Sequence, residues 1–299
     1  MLTPPLDDDD RALLERARDA AIAPGDIDAA TAALYQQIRK SPHHRPFIEQ
    51  VEAGAARRLD GEPPRIVVMP GAFHREHPHT GADGRRIFEL AAKLSWPAEL
   101  APVPSLAPMA ENAKALVHFL SRRPGRPTIL VSLSKGGADV RAAMERPDAG
   151  EALRDVRAWV NLSGMVTGTP LVAWLRDRPL RCLGVRLLLR LRQQRFADVE
   201  ELHCGEGSAL ARPFTVPTHV RAIHVVAFPR VRHLSNDWAR RGHARLAPLG
   251  PNDGGGILLN DVLGWPGHVY PVWGADHYLR PKFDVHPLLL SILREAARS

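Results

Sequence analysis

Residues 132–137, with the sequence Ser-Leu-Ser-Lys-Gly-Gly, have the composition that a nucleophilic serine requires. Such a serine lies on a sharp turn between a strand and a helix, which exposes its hydroxyl and directs the helix N-terminus at developing negative charge. The turn is strained and crowded, so the residues two before and two after the serine must be small. Ser134 meets this condition with Ser132 and Gly136, although the usual motif has glycine at the first position. Ser132 itself is a weaker candidate, because the bulky Leu130 precedes it by two residues.

A base and an acid that could activate Ser134 follow later in the chain. A serine hydroxyl is a weak nucleophile and needs a base whose imidazole is oriented by a carboxylate. His277 is the candidate base because it follows a short apolar run at 269–273. Asp253, in Asn-Asp-Gly-Gly-Gly, is the candidate acid, although an Asp-Gly pair is also common in ordinary turns. The alternatives are His268 for the base and Asp261 or Asp237 for the acid.

Short apolar runs alternate with helical patterns from residue 63 onward. The runs typical of buried strands are 65–71, 127–131, 156–162, 223–228 and 269–273. Apolar residues recur at helical spacing in 86–94, 110–122 and 287–297. Strands separated by helices indicate βαβ units. We therefore expect an α/β fold in which helices flank a mostly parallel central sheet.

Two further segments have helical patterns outside this alternation. Residues 1–62 form a predicted helical N-terminal extension, which leaves 63–299 as the main domain. Residues from about 167 to 221 form a leucine-rich, arginine-rich insertion between two predicted strands. The insertion is open to three interpretations: a surface helix pair that buries its leucines, a cap over a site, or a basic amphipathic helix on a lipid surface.

In three segments the chain resembles the α/β-hydrolase family: residues 132–137, Asn252-Asp253-Gly254, and 274–277 after the last predicted strand. The resemblance covers about residues 63–299. It implies that the nucleophile, acid and base follow in the order Ser134, Asp253, His277. It also implies that the insertion at about 167–221 is the cap that this family carries at that place.

The resemblance further implies an oxyanion hole made of two backbone amides. One is the amide of Lys135, the residue after the nucleophile. The other comes from the loop after the first predicted strand and belongs to Ala72 or Phe73. The family often has His-Gly in this loop, whereas this chain has Pro70-Gly71, so the choice between the two amides stays open.

The expected activity is hydrolysis of an ester or thioester through an acyl-enzyme, with no cofactor and no metal. The leucine-rich insertion and three possible pocket walls, Trp174, Trp265 and Trp273, favour a small-molecule or lipid-like substrate with an apolar acyl part. Two alternatives remain, namely acyl transfer on the same scaffold and a non-catalytic binding protein with this fold. The sequence leaves the oligomeric state open.

Composition limits the other classes of function. The chain has 299 residues and a net charge of +7, but its basic residues are mostly scattered arginines with no basic run among stacking aromatics, so we expect no nucleic-acid partner. No apolar run approaches the ~18–20 residues of a membrane helix, so we expect no stable membrane insertion. The acidic start of the chain is unlike a secretory signal, and two cysteines make no disulfide framework. A cytoplasmic location is expected.

Two polar features near the expected site have two interpretations each. Lys135 is a cation at a helix N-terminus, where it opposes the helix dipole; it either pairs with Asp139 one turn later or attracts an anionic group of the substrate. The loop at 74–83 contains three histidines and two acids, but Pro78 and the irregular spacing disfavour a metal site. We expect this loop to form a polar lip at the entrance of the site.

Overall fold

The computed structural model describes residues 6–17, 25–54, 62–280 and 283–298, and its centre is a six-stranded sheet. The spatial order of the strands is β2-β1-β3-β4-β5-β6, and all five neighbouring pairs are parallel. The strands are β1 (Arg65–Met69), β2 (Ala98–Leu100), β3 (Thr128–Leu133), β4 (Val156–Leu162), β5 (Arg221–Phe228) and β6 (His268–Trp273). The central strands are buried along most of their length, as expected of a parallel sheet covered on both faces. The predicted α/β class is confirmed.

Helices connect the strands and cover the sheet. Before β1 lie α1 (Asp8–Arg16), α2 (Ile27–Lys40) and α3 (Arg45–Glu52). Between β1 and β4 lie α4 (Arg85–Leu94), α5 (Met109–Ser121), α6 (Lys135–Met144) and α7 (Ala149–Ala152). After β4 lie α8 (Leu171–Arg176), α9 (Pro179–Leu191), α10 (Ala197–Glu200), α11 (Asp237–Leu246) and α12 (His286–Ala296).

The described part of the predicted N-terminal extension is helical and packs on the β6 side of the sheet. Asp7 and Asp26 cap α1 and α2 by accepting backbone N–H bonds three residues later, so each helix begins where its sequence supplies a capping carboxylate. Ile38 and Phe47 are buried in the same hydrophobic cluster as the strands. The ring of Tyr35 lies 5.1 Å from that of Trp273. The predicted boundary after residue 62 borders a segment, 55–61, that lies outside the described residues.

The insertion between β4 and β5 contains α8, α9 and α10. On the inner side of α9, Cys182 and Leu189 are buried with Leu106 and Phe196 in a small hydrophobic cluster. The outer side leaves four leucines at helical spacing exposed, namely Leu180, Leu183, Leu187 and Leu191. The helices therefore do not bury all their leucines, contrary to the first interpretation of this segment. None of the described helices is long and apolar enough to cross a bilayer.

Substitution of Ile38 in α2 tests whether the N-terminal helices share the main core. Ile38→Ala is expected to lower the free energy of unfolding by about 2–5 kcal/mol, because it removes a fully buried side chain and leaves a cavity. Leu180→Ala, at an exposed position of α9, is the control and is expected to change it by less than about 0.5 kcal/mol. Urea unfolding measures both; equal values for the two variants would contradict the packing of α2.

Candidate active site

Ser134 occupies the single residue between β3 and α6. Its backbone has φ 49° and ψ −120°, in a region that residues with a side chain rarely adopt. The strand before it supplies a buried run of apolar residues, and the helix after it begins at Lys135. This bend directs the Ser134 hydroxyl into a cavity at the carboxyl ends of the strands. The structure thus has the strand-turn-helix context that the sequence predicts for this segment.

Close backbone contacts hold the bend in place. A Cβ on Gly136 would lie 2.5 Å from the carbonyl oxygen of Met69 and 2.6 Å from that of Pro70. A Cβ on Gly71 would lie 3.3 Å from the Cβ of Ser134. The loop after β1 therefore packs directly against the first turn of α6. Only residues without a side chain allow this approach, which is the physical reason for the small residue two positions after Ser134.

Ser132, which replaces the usual glycine of the motif, is a buried hydrogen-bonding residue. Its hydroxyl donates to Oδ1 of Asn161 at 2.7 Å and accepts from Nε1 of Trp159 at 2.8 Å. Asn161 in turn donates from Nδ2 to Nδ1 of His224 at 3.1 Å, and Nε2 of His224 bonds the carbonyl oxygen of Pro266 at 2.9 Å. Burial lowers the pKa of His224 to about 4, so its ring is neutral at physiological pH. Ser132 is fully buried and therefore cannot be the nucleophile.

The structure brings Ser134, His277 and Asp253 together. Nε2 of His277 lies 3.0 Å from Oγ of Ser134, and Nδ1 of His277 lies 2.6 Å from Oδ2 of Asp253. An ionised carboxylate can only accept, so Nδ1 carries the proton toward Asp253 and Nε2 is free to accept the serine proton. Ser134 follows the end of β3, Asp253 lies in the loop before β6, and His277 lies in the segment after β6.

The carboxylate of Asp253 is buried and fully hydrogen-bonded. Its Oδ1 accepts three backbone N–H bonds, from Gly255, Gly256 and Ile257, at 2.9 to 3.0 Å. Burial raises the pKa of Asp253, but the charge of His277 and these bonds outweigh it and hold the pKa below its ordinary value. The Asp-Gly-Gly-Gly turn thus keeps a charged carboxylate inside the protein.

The alternative acids lie elsewhere. Asp237 is exposed at the start of α11 and pairs with Arg240. Asp261 lies in a 3₁₀ helix, Leu259–Gly264, and does not bond His277. Of the three candidate carboxylates, Asp253 alone reaches the imidazole.

The segment around His277 is fixed by its neighbour Asp276. Oδ2 of Asp276 accepts from the amide and the hydroxyl of Ser235, and Oδ1 accepts from the amide of Tyr278 at 3.1 Å. Burial lowers the pKa of His277, but Asp253 more than offsets this, and Asp276 adds to the effect, so the pKa is raised above its ordinary value. The sequence analysis did not identify Asp276 as a residue that fixes this segment, because adjacency to a histidine does not show which groups an aspartate bonds.

The alternative base, His268, lies at the opposite end of β6. Its ring stacks on Phe47 at 5.0 Å and on His43 at 5.0 Å. It therefore lies at the amino edge of the sheet, whereas Ser134 lies at the carboxyl edge. Among the described residues, the one cluster with metal-ligand spacing is His43, His44 and His268, and the 74–83 loop does not form another.

The two candidate amides of the loop after β1 differ in their hydrogen bonds. The Phe73 amide donates to the carbonyl oxygen of Ser105 at 2.8 Å, so it is already engaged. No acceptor bonds the amides of Ala72 and Lys135 within the described parts of the chain. This corrects the expectation for Phe73 and leaves Ala72 as the candidate partner of Lys135. Phe73 also has a φ of 59°, a local conformation that the sequence did not reveal.

The side chain of Lys135 is buried and paired. Its Nζ lies 2.6 Å from Oδ1 of Asp139, and both side chains are buried. Asn112 donates to the other oxygen of Asp139 at 2.9 Å. The i, i+4 pairing expected from the sequence is therefore present, and the ammonium is not available to a substrate.

A cavity of about 920 Å³ opens above Ser134. The insertion covers it with apolar side chains that include Val172, Leu175, Leu188 and Leu189. Trp174 lines the cavity as expected, but Trp265 and Trp273 do not; both are buried in the core, where Trp273 packs on Tyr35. Trp238, which the sequence analysis did not select, lines the cavity instead.

The histidine-rich loop lies at the rim of the same cavity. His77, His79 and Thr80 are among its lining residues. Glu76 accepts from Nε2 of Gln194 at 2.7 Å, a bond that joins this loop to the insertion. The structure therefore places the loop at the entrance, where the sequence analysis expected a polar lip.

This sheet with its elbow serine, flanking helices and covering insertion is an α/β-hydrolase fold. No protein-family model matches the chain, and no curated protein is significantly similar to it. Among solved structures, a metagenomic carboxyl esterase is similar over 96% of this chain and 98% of its own, with a TM-score of 0.57 and 18% identity. The mature lipase of Bacillus licheniformis is similar over 79% of this chain and 91% of its own, with a TM-score of 0.55 and 18% identity.

Addition of a methyl group at Gly136 tests the packing of the turn that contains Ser134, between β3 and α6. Gly136→Ala is expected to destabilise the protein by about 1–3 kcal/mol, because the new Cβ meets backbone oxygens that cannot rotate away. The matched control is Gly150→Ala in α7, where a Cβ has no neighbour within 4 Å and a gain in helix propensity is expected. Thermal or urea unfolding compares them; a Gly136→Ala variant as stable as the wild type would contradict the close contact.

Removal of the charge at Asp253 tests the electrostatics of His277. Asp253→Asn is expected to lower the pKa of His277 by about one unit or more, because the imidazolium loses its carboxylate partner while it stays buried. Asp261→Asn is the control and should leave that pKa unchanged. NMR titration of the imidazole measures both; an unshifted pKa in Asp253→Asn, or a shift in the control, would contradict the assignment.

Proposed function

We propose that the protein is a serine hydrolase that cleaves an ester or thioester with an apolar acyl part. The observation that carries the proposal is the continuous hydrogen-bonded line from Ser134 Oγ through His277 to Asp253, with separations of 3.0 and 2.6 Å. A nucleophile and base at this distance can transfer a proton without rearrangement. The same distance argues against the non-catalytic alternative, which would leave the hydroxyl without a base.

The proposed reaction begins with attack of Ser134 Oγ on the substrate carbonyl carbon. His277 Nε2 takes the hydroxyl proton as the bond forms, and Asp253 stabilises the resulting imidazolium while it holds the ring in the required tautomer. The negative charge on the carbonyl oxygen lies at the N-terminus of α6, where the amides of Lys135 and Ala72 are the proposed donors.

The reaction then proceeds through an acyl-enzyme. His277 gives its proton to the leaving alcohol or thiol as the carbon–oxygen or carbon–sulfur bond breaks. Water next enters the site, loses a proton to His277 and attacks the acyl carbon. The second tetrahedral intermediate expels Ser134, which regains its proton, and the carboxylic acid leaves.

The cavity supports a substrate with an apolar part. Its walls under the insertion consist of leucine and valine side chains, which favour transfer of hydrocarbon from water. Its volume of about 920 Å³ lies in the range of small-molecule sites. The two solved structures with similar folds are described as a carboxyl esterase and a lipase, a chemistry consistent with this cavity.

Substitution of the nucleophile tests the proposal directly. Ser134→Ala is expected to reduce kcat for p-nitrophenyl esters by roughly 10⁴-fold or more, because no other group replaces the serine oxygen. A fluorophosphonate probe should label the folded wild type and not this variant. A panel of oxygen and sulfur esters of increasing chain length then defines the acyl preference.

Ser121→Ala is the matched control, since Ser121 lies at the exposed C-terminus of α5. It should retain both labelling and turnover. Labelling of Ser134→Ala equal to that of the wild type would contradict the proposal.

A further inference from the structure

The lining of the cavity carries an excess of positive charge. Four arginines line it, namely Arg192, Arg241, Arg245 and Arg280. The cavity also has one acidic lining residue within the described chain, Asp237, and its carboxylate already lies 3.0 Å from Arg240. Arg241 and Arg245 project from the same face of α11, one turn apart. The cavity therefore combines an excess of positive charge with the apolar side chains of the insertion.

Three arginines surround Trp174, which also lines the cavity. The guanidinium carbon of Arg178 lies 4.2 Å from the indole ring centre, that of Arg245 lies 4.3 Å away and that of Arg181 lies 5.3 Å away. Cation–π attraction compensates part of the cost of placing each cation there. Nη1 of Arg178 donates to the carbonyl oxygen of Trp174 at 2.8 Å, whereas no acceptor within the described residues bonds the guanidinium of Arg181 or Arg245.

No carboxylate in the described ranges lies within 4 Å of Arg178, Arg181, Arg241 or Arg245. Sixteen of the other 28 described arginines have such a partner. Burial lowers the pKa of Arg245, and the neighbouring charges of Arg181, Arg241 and Arg178 lower it further. Like charges that repel one another in a partly enclosed site create a potential that attracts an anion. Guanidinium groups bind carboxylate and phosphate oxygens in pairs.

We infer that the substrate carries a carboxylate or phosphate group in addition to its apolar part, and that Arg241 and Arg245 bind this group beside Trp174. The inference rests on the proposed function, because it concerns the substrate of the same site. The leucines of the insertion would hold the hydrocarbon part, and the anionic group would lie against α11. Such a molecule would contact both the apolar side chains and the arginines of the cavity that Ser134 lines.

Matched pairs of chromogenic esters test this inference. The first pair is 4-nitro-3-(octanoyloxy)benzoate and its neutral methyl ester, which place the charge on the leaving group. The second pair is p-nitrophenyl octanoate and the p-nitrophenyl monoester of octanedioic acid, which places the charge at the acyl end. In at least one pair, kcat/KM for the anionic ester is expected to exceed that of the neutral ester by about tenfold or more, the effect of one or two charge-assisted hydrogen bonds.

The double variant Arg241→Gln, Arg245→Gln is expected to reduce this ratio to near one. Arg190→Gln removes one positive charge from an exposed position of α9 that does not line the cavity, and should keep the wild-type ratio. The ratio should also fall as salt is added. Equal rates for both members of each pair in the wild type, or a ratio unaffected by the double variant, would overturn the inference.

A binding measurement separates this inference from the proposed function. Calorimetric titration of Ser134→Ala with monooctyl phosphate needs no turnover, and the further changes Arg241→Gln and Arg245→Gln should weaken binding by about tenfold or more. Hydrolysis of neutral esters together with unchanged phosphate binding in the arginine variants would overturn the anion site alone. Arginine-dependent phosphate binding without hydrolysis of any ester would overturn the hydrolase alone.

Discussion

The close approach of the loop after β1 to the first turn of α6 determines the geometry of the site. A side chain at Gly136 would collide with two backbone oxygens, so the two segments share a space that only bare backbone can fill. This contact holds Ser134 in an unfavourable backbone conformation, at a cost of order 1–3 kcal/mol that the surrounding packing must offset. Ala72, Ser134 and Lys135 all line the same cavity. One steric constraint thus holds the segments that contain these three residues together.

Buried charge is the second requirement of this site, and the fold meets it with backbone amides. A carboxylate removed from water is costly unless its oxygens find donors. Asp253 obtains three of them from its own turn and a fourth from His277. The pair Lys135 and Asp139 solves the same problem with side chains one helical turn apart. Neither carboxylate is among the residues that line the cavity.

The sequence predicts the parts of this structure that depend on local patterns. The β-branched runs around Ile66, Ile129 and Ile223 identify buried strands, and the small residues around Ser134 identify the elbow. β2 was missed because Ala98-Glu99-Leu100 is a three-residue edge strand with no β-branched residue. The alignment of Asp253 rather than Asp261 with His277 depends on how a glycine-rich turn folds in three dimensions. Residue spacing alone does not predict the conformation of this turn.

Other features depend on tertiary packing and could not be predicted from spacing. Trp174 and Trp273 are both aromatic residues near apolar runs, yet one lines the cavity and the other packs on Tyr35 from an N-terminal helix. The amide of Phe73 differs from that of Ala72 through a bond to Ser105, some thirty residues away along the chain. The charge imbalance around Trp174 involves arginines from α9 and α11 that are distant in sequence.

The loop between β5 and α11 links the two ends of the chain. Arg230 in this loop binds Asp10 of α1, 220 residues away, and Ser235 a few residues later donates to Asp276 beside His277. The serine and the histidine are themselves separated by 143 positions. Contacts of such long range form slowly, because each requires closure of a large loop of unfolded chain. The bond between Nε2 of His277 and Oγ of Ser134 therefore depends on docking of the C-terminal segment against the rest of the domain.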